Sequence, residues 1–264
     1  RLLPQTFTGA YLTSKEIDDL TFTAARLTES KDRNYSHSDD ISFAGQSSDH
    51  MDLLGGDYAF GKNLTLSYHH GDLQDIYRQQ FAGLTNVLPL AEGVSLRSDL
   101  RYFDSSDIGA RKAGKIDSRN FNSMFTLSVG ANRFSAAFQS LSGDSAFPYI
   151  DTSMPYLVNL VTYNSFSRAN EKSWQLRHDY DFAALGIPGL TLMNRYVKGD
   201  DIRTGTVRNG SEWERDTDLS YVFQSGMLEG LNLRWRNVTF RSGNGLTQKI
   251  DENRLIAAYT WKLW

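Results

Sequence analysis

Cysteine is absent from the 264 residues, so the chain has no disulfide framework and no thiolate metal or redox site. No run approaches 18 consecutive apolar residues, which excludes a transmembrane helix. A membrane is not thereby excluded, because a transmembrane strand needs only about 9 to 11 residues, with alternate ones apolar. Neither sign of charge prevails: 28 Lys+Arg stand against 31 Asp+Glu, a formal net charge of -3, and no basic excess points to nucleic acid. Among the five histidines (His37, His50, His69, His70 and His178) none falls in an HExxH spacing, and GxSxG, EF-hand and Gly-rich phosphate-loop motifs are missing too. Side chains of the neighbours His69 and His70 leave opposite faces of one strand and cannot ligate one ion; a solvated loop end is the expected setting. No catalytic residue, cofactor or metal is therefore expected.

What is present is modest in apolar content, 40% hydrophobic and 12% aromatic with 21 Gly and 5 Pro, and its mean hydropathy is negative. Those values are neutral between a soluble sheet protein and a membrane barrel. The chain opens on RLLPQTFTG, with neither an initiator Met nor a signal peptide, and is expected to be a mature product or a fragment.

Period-two alternation dominates, and helical periodicity is hard to find. The clearest strands are NLTLSYHH from Asn63, GVSLRSDLRYF from Gly93, NFNSMFTLSVG from Asn120, SWQLRHDYDF from Ser173, GLTLMNRYV from Gly189, DTDLSYVF from Asp216, GLNLRWRNVTFRSG from Gly230 and NRLIAAYTWKLW from Asn253. Weaker ones begin at Thr6, Asp19, His50, Ile76 and Arg133. The expectation is an all-β chain of about thirteen strands, roughly ten residues each.

The connections alternate in length. Short links fall near Lys62, Glu92, Ala131, Pro188 and Glu229; longer polar ones run from 30 to 49, 104 to 117, 142 to 172, 199 to 211 and 242 to 251, with a short exception at 71 to 75. Tight turns at one rim and loops at the other describe an up-and-down antiparallel transmembrane β-barrel rather than a sandwich.

Face assignment agrees. Leu231, Leu233 and Trp235 oppose Asn232, Arg234 and Arg236; Trp174, Leu176, Tyr180 and Phe182 oppose Gln175, Arg177, Asp179 and Asp181; Leu219, Tyr221 and Phe223 oppose Asp218 and Ser220. An apolar outer belt around a polar lumen has this pattern. Four positions break it: His178 and Asn194 fall on apolar faces, and Val238 and Phe240 share the arginine face, as a bulge or a rim position would require. Trp264 also shares phase with Arg254.

Several segments together resemble the OprD family of substrate-selective outer-membrane porins: RLLPQTFTG with TSKEI, LSYHHGDLQDIYRQQF, SLRSDLRYFDSSD, SGDSAFPYIDTSMPYLVN, EKSWQLRHDYDFAALGIPGLTLMNRYVKGDDI and WERDTDLSYVFQSG. They follow the family's order over almost the whole chain, and DYDFAALGIPGLT is specific. The resemblance implies a monomer-sized barrel of eighteen antiparallel strands, often packed as loose homotrimers, in the bacterial outer membrane among lipid and lipopolysaccharide. Counted back from the long 142–172 link, residues 1–264 correspond to the C-terminal part of one such barrel, about strands six to eighteen. Thirteen strands alone would leave two unpaired edges, which a bilayer does not tolerate.

Relatives in that family pass carboxylate-bearing solutes along a lumen wall of basic residues, and Arg97, Arg101, Arg177, Arg195, Arg234, Arg236 and Arg254 resemble that ladder. Guanidinium keeps its charge at every relevant pH and matches a carboxylate with a planar fork. Asp99, Asp179, Asp181, Glu214, Asp216 and Asp218 share the same face and can neutralise part of it. The apolar 142–172 link is expected either to pack as a lid or lipopolysaccharide contact, or to fold into the mouth as a constriction; Tyr149 and Asp151 are then the wall residues, with Asp144 a competitor. The expected function is selective passive diffusion of small carboxylate or zwitterionic solutes (amino acids, peptides or organic acids) without chemistry. The alternative is a non-conducting barrel with an adhesion or receptor role carried by its loops.

Overall fold

Strict alternation gives each strand one face for each of two environments, and a sheet is the only structure that honours it along the whole chain. The computed structural model describes residues 4–260. Fifteen strands are formed: β1 (Thr6–Ser14), β2 (Leu20–Lys31), β3 (Ile41–Phe43), β4 (Gln46–Ser48), β5 (Met51–Phe60), β6 (Leu64–Leu73), β7 (Tyr77–Ala91), β8 (Val94–Asp107), β9 (Asp117–Val129), β10 (Asn132–Ser142), β11 (Lys172–Asp181), β12 (Leu190–Thr204), β13 (Val207–Val222), β14 (Asn232–Gly243) and β15 (Lys249–Ala258). Thirteen make one antiparallel sheet in which each pairs with its neighbour in sequence, and β3 and β4 form a separate hairpin. All thirteen expected strands are present. The two additional ones lie in the 30–49 link, where three-residue strands are too short for alternation to register.

Among the described residues no pairing joins β1 to β15, so the sheet is open at that seam. The short turns of one rim are 15–19, 61–63, 92–93, 130–131, 182–189 and 223–231, and the opposite rim carries the β3–β4 hairpin and the long 143–171 loop. One expected loop is corrected. Residues 199–211 continue the sheet, since β12 runs to Thr204, β13 starts at Val207, and Gly205 at φ 54° lets the chain reverse in two residues.

Burial is inverted relative to a water-soluble protein. Phe121, Phe125, Phe134, Trp174, Leu176 and Leu233 are exposed, whereas Asn120, Asn122, Gln139, Gln175, Glu212 and Glu214 are buried. At about 25 cal/mol per Å² of apolar surface, an aromatic and leucine belt on this scale is stable only against lipid. Apolar packing on the inner side includes two clusters at the long-loop rim, Ile41, Leu73, Ile76, Tyr77, Ile116 and Ile150 in one, and Phe103, Leu141, Phe147 and Leu157 in the other.

The breaks in the pattern have local causes. No register shift occurs along β13–β14 or β14–β15, so Val238 and Phe240 are not displaced by a bulge; both are fully buried on the inner face, Phe240 with its ring 5.0 Å from that of Tyr163 on the long loop. His178 does face outward, stacked on Phe134 at 4.7 Å, and its Nε2 lies 2.9 Å from Asn132 Oδ1. Asn194 accepts from Thr217 Oγ1 at 2.9 Å on the same outer face. His69 and His70 sit within β6 rather than at a loop end, each beside a carboxylate of its own, Asp57 at 3.5 Å and Asp72 at 3.1 Å. Trp264 lies outside the described residues.

Candidate functional site

The inner face of β8 to β15 carries charge in register. One row of directly paired positions runs Arg133, Asp179, Met193, Asp218, Arg236 and Arg254 across β10 to β15. The next runs Arg97, Thr126, Ser135, Arg177, Arg195 and Asp216 across β8 to β13. Period-two geometry puts every one of these on the same side, so two adjacent rows become an oblique charged band.

Within it, acids are shared. Asp99 accepts from Arg97 Nη2 at 2.9 Å and from Arg101 Nη2 at 3.3 Å. Asp179 accepts from Arg177 Nη2 at 2.6 Å and lies 3.9 Å from Arg133. Asp218 accepts from Arg236 Nη2 at 2.6 Å and has Arg234 Nε at 3.3 Å. Arg195 has Asp216 to itself, with Nε donating at 3.0 Å, and Arg254 has Glu252, with Nη2 donating at 2.7 Å. Eight arginines thus meet five acids, and three of the acids serve two guanidinium groups each. Exposure is graded: half of the Arg97 side chain is open, 39% of Arg234, and only 12% of Arg101 and of Arg195.

A cavity of about 820 Å³ on this face is lined by Arg133, Arg177, Arg195, Arg234 and Arg236 together with Asp179 and Asp218. It gathers four of the seven arginines expected from the sequence. Arg97 and Arg101 stand apart around Asp99, Arg101 in a second cavity of about 370 Å³, and Arg254 lies on β15 beside Arg236. Arg133 was missed by sequence reading, although the alternation of RFSAAFQSLS, with Arg133, Ser135, Ala137 and Gln139 opposite Phe134, Ala136 and Phe138, carries the signal.

The 143–171 loop folds over the inner face and is held there chiefly through its main chain. Val158 N donates to Asn122 Oδ1 at 3.1 Å, Asn159 N to Gln139 Oε1 at 3.2 Å, and Tyr163 N and Asn164 N to the two oxygens of Glu214 at 2.8 and 2.9 Å. In return, Gln139 Nε2 donates to the Phe166 carbonyl at 2.5 Å. These contacts give Glu214, Gln139 and Asn122 the partners that their burial requires.

Two loop side chains reach the arginines. The ring of Tyr156 lies over Arg101, 3.6 Å from Cζ to centroid, and the Tyr156 carbonyl accepts from Arg101 Nη1 at 3.2 Å. Thr162 Oγ1 is 3.4 Å from Arg195 Nη2. The expected wall residues lie elsewhere: Tyr149 packs against the Phe103 cluster, and the Asp151 carboxylate accepts from Ala44 N at 3.1 Å and Gly45 N at 3.3 Å at the tip of the β3–β4 hairpin. Asp144 pairs with Lys115 at 2.8 Å, which holds its carboxyl below the ordinary range. At the loop's end Glu171 is buried, and burial, reinforced by the nearby Glu212 carboxylate, pushes its carboxyl well above the ordinary range. Among the described residues no group of three or more His, Asp or Glu is placed to hold a metal ion.

The family described as "outer membrane porin, OprD family" matches residues 1–263. Porin-like protein GalP of Pseudomonas putida is 38% identical over 268 residues, covering 100% of this chain, and Porin D of Pseudomonas aeruginosa is 34% identical, covering 98% of it. The chain spans 64% of the length of each of these curated relatives. Among solved structures, Pseudomonas aeruginosa OccK5 (OpdH) superposes with a TM-score of 0.94 at 53% identity, over 100% of this chain and 73% of that one. A BenF-like porin from Pseudomonas fluorescens superposes with a TM-score of 0.93 at 41% identity, over 97% of this chain and 67% of that one.

Proposed function

The chain belongs to the OprD family of outer-membrane porins, and from that premise we propose that it is the C-terminal part of one barrel that lets small carboxylate-bearing solutes diffuse selectively across the outer membrane. Relatives named as porins are channels, and no chemistry is performed on the solute. Its path follows the arginines of the inner face, with Arg133 added to the seven expected from the sequence.

The observation that carries this reading is the sharing of acids. A guanidinium that owns half a carboxylate retains donors that a passing carboxylate can take, and the displaced acid still has its second arginine. The tethered acid stays beside the site and opposes the arriving anion, so binding stays strong enough for entry and weak enough for release. The cavity lined by Arg177, Arg195, Arg234 and Arg236 is the central stretch of that path. Tyr156, lying on Arg101, narrows it from the loop side.

Planar-bilayer conductance of the full-length protein tests the reading. Arg234→Gln with Arg236→Gln is expected to lower anion preference and to slow liposome swelling in arginine or benzoate. Absence of ion current, or current and selectivity unchanged in the double variant, sinks it and leaves the loops as the functional element.

A further inference from the structure

The outer face of β12 to β15 is not uniformly apolar, and its polarity rises in steps toward the long-loop rim. Leu192, Leu219, Trp235 and Leu255 form one row of paired positions. One step up stand Asn194, Thr217, Asn237 and Asn253, and above them Tyr196, Arg215, Thr239 and Asp251. The highest of the four rows is Lys198, Trp213, Arg241 and Lys249. Trp174, Tyr196 and Trp213 touch in a chain, with centroids 5.5 and 5.8 Å apart. Aromatic belts of this kind mark the level at which hydrocarbon gives way to headgroups, so the cations lie at headgroup depth.

Two of the four cations are already engaged, Lys198 with Asp200 at 3.1 Å and Arg241 with Asp251 at 2.7 Å. Arg215 donates only to the neutral oxygens of Asn237 at 3.2 Å and Thr239 at 3.3 Å. Among the described residues neither Arg215 nor Lys249 has an acidic partner. At headgroup depth a guanidinium costs little, and one without an acid keeps its charge and donors open to an anion that meets it there. Arg241 is diagonal to Arg215 and directly opposite Lys249, so the three form one cationic strip with a single acid, Asp251.

We propose that this strip binds the phosphate group of an anionic outer-leaflet lipid, with Arg215 and Lys249 as the cations that take it and Trp213 as the ring flanking the headgroup. The planar fork of Arg215 suits a phosphate, and its hydrogen bonds to Asn237 and Thr239 hold it in the sheet plane rather than free to follow the solvent. Such a lipid would seal the polar notch that Asn194, Thr217, Asn237 and Asn253 leave in the apolar belt. The proposal rests on the outer-membrane reading, with the long-loop rim facing outward.

Native mass spectrometry of the detergent-purified full-length protein, titrated with lipid A and separately with dephosphorylated lipid A, tests it. Retention of the phosphorylated probe is expected to fall on the order of tenfold in Arg215→Ala with Lys249→Ala, to persist in Arg215→Lys with Lys249→Arg, and to be unchanged in Lys15→Ala with Lys62→Ala on the opposite rim. Equal retention of both probes by the wild type, or equal retention of lipid A by the wild type and the alanine pair, overturns it. Heat-modifiable migration confirms that each variant is folded. Conductance of the same preparations is scored separately: it is unchanged in the alanine pair, and its absence from the wild type counts against the channel reading alone.

Discussion

Arg236 holds Asp218 with two nitrogens, Nε at 2.8 Å and Nη2 at 2.6 Å, both on the single oxygen Oδ2. The other oxygen of that carboxylate is left toward Arg234, at 3.3 Å. Removing the acid while keeping its shape therefore frees two guanidinium groups at once. Asp218→Asn is expected to raise anion preference and to retain carboxylate solutes at least about tenfold longer, the scale of one charge-assisted hydrogen bond. Reversal potentials in a salt gradient and solute-induced current blocks measure both; a shift toward cation preference contradicts the sharing argument.

Tyr156 covers Arg101 from the loop, a cation–π contact worth about 0.5 to 2 kcal/mol depending on desolvation. Tyr156→Ala is expected to uncover Arg101, enlarge the cavity beside it and raise single-channel conductance, with Tyr156→Phe close to the wild type. Equal conductance in all three proteins would show that this ring does not border the path.

Glu171 gives the loop a pH dependence whose sign follows from its cause. Burial and Glu212 raise its carboxyl above the ordinary value of 4.5, so the folded state prefers the protonated form. Its contribution to the docked loop is full below about 4.5 and is lost as pH rises from there through the raised folded value. Arg168, whose backbone N–H donates to Glu171 at 3.0 Å, is the cation nearest the pair and offsets part of the loss. Limited proteolysis within residues 143–171 is expected to be slower at pH 5 than at pH 8, and Glu171→Gln is expected to reduce the difference. A wild type equally resistant at both values contradicts it.

The two faces predict opposite tolerance for one substitution. Leu219→Arg places a charge on the apolar belt and is expected to cost about 2 to 4 kcal/mol at mid-membrane depth, whereas Thr191→Arg, on the paired strand, open to the inner cavity and opposite Asp181, is expected to fold with near-normal yield. The heat-modifiable band after refolding into lipid vesicles reports the yield of each.

The sheet was legible because two solvents enforce one rule on every strand: a strand such as TFTGAYLT, weak by propensity, still has to alternate. Legibility stopped where that rule does. The β3–β4 hairpin is too short for alternation to register, and the upper parts of β12 and β13 rise past the belt, where lipid no longer enforces the alternation. Val238 and Phe240 looked like a phase error because the 143–171 loop, distant in sequence, supplies an apolar surface on the inner side. The arginines followed from parity, but their partners did not: nothing in the spacing says that Asp218 bridges Arg234 and Arg236, or that Asp151 turns away to cap Ala44 and Gly45.

The loop's attachment through its own backbone has an evolutionary consequence. Asn122, Gln139 and Glu214 grip amides and carbonyls that every residue but proline carries, so the sheet specifies a seat with little demand on the sequence seated in it. Mutation can then exchange what the loop shows to a solute while the frame beneath stays constant, and one scaffold can diversify into channels of different preference without refolding its wall.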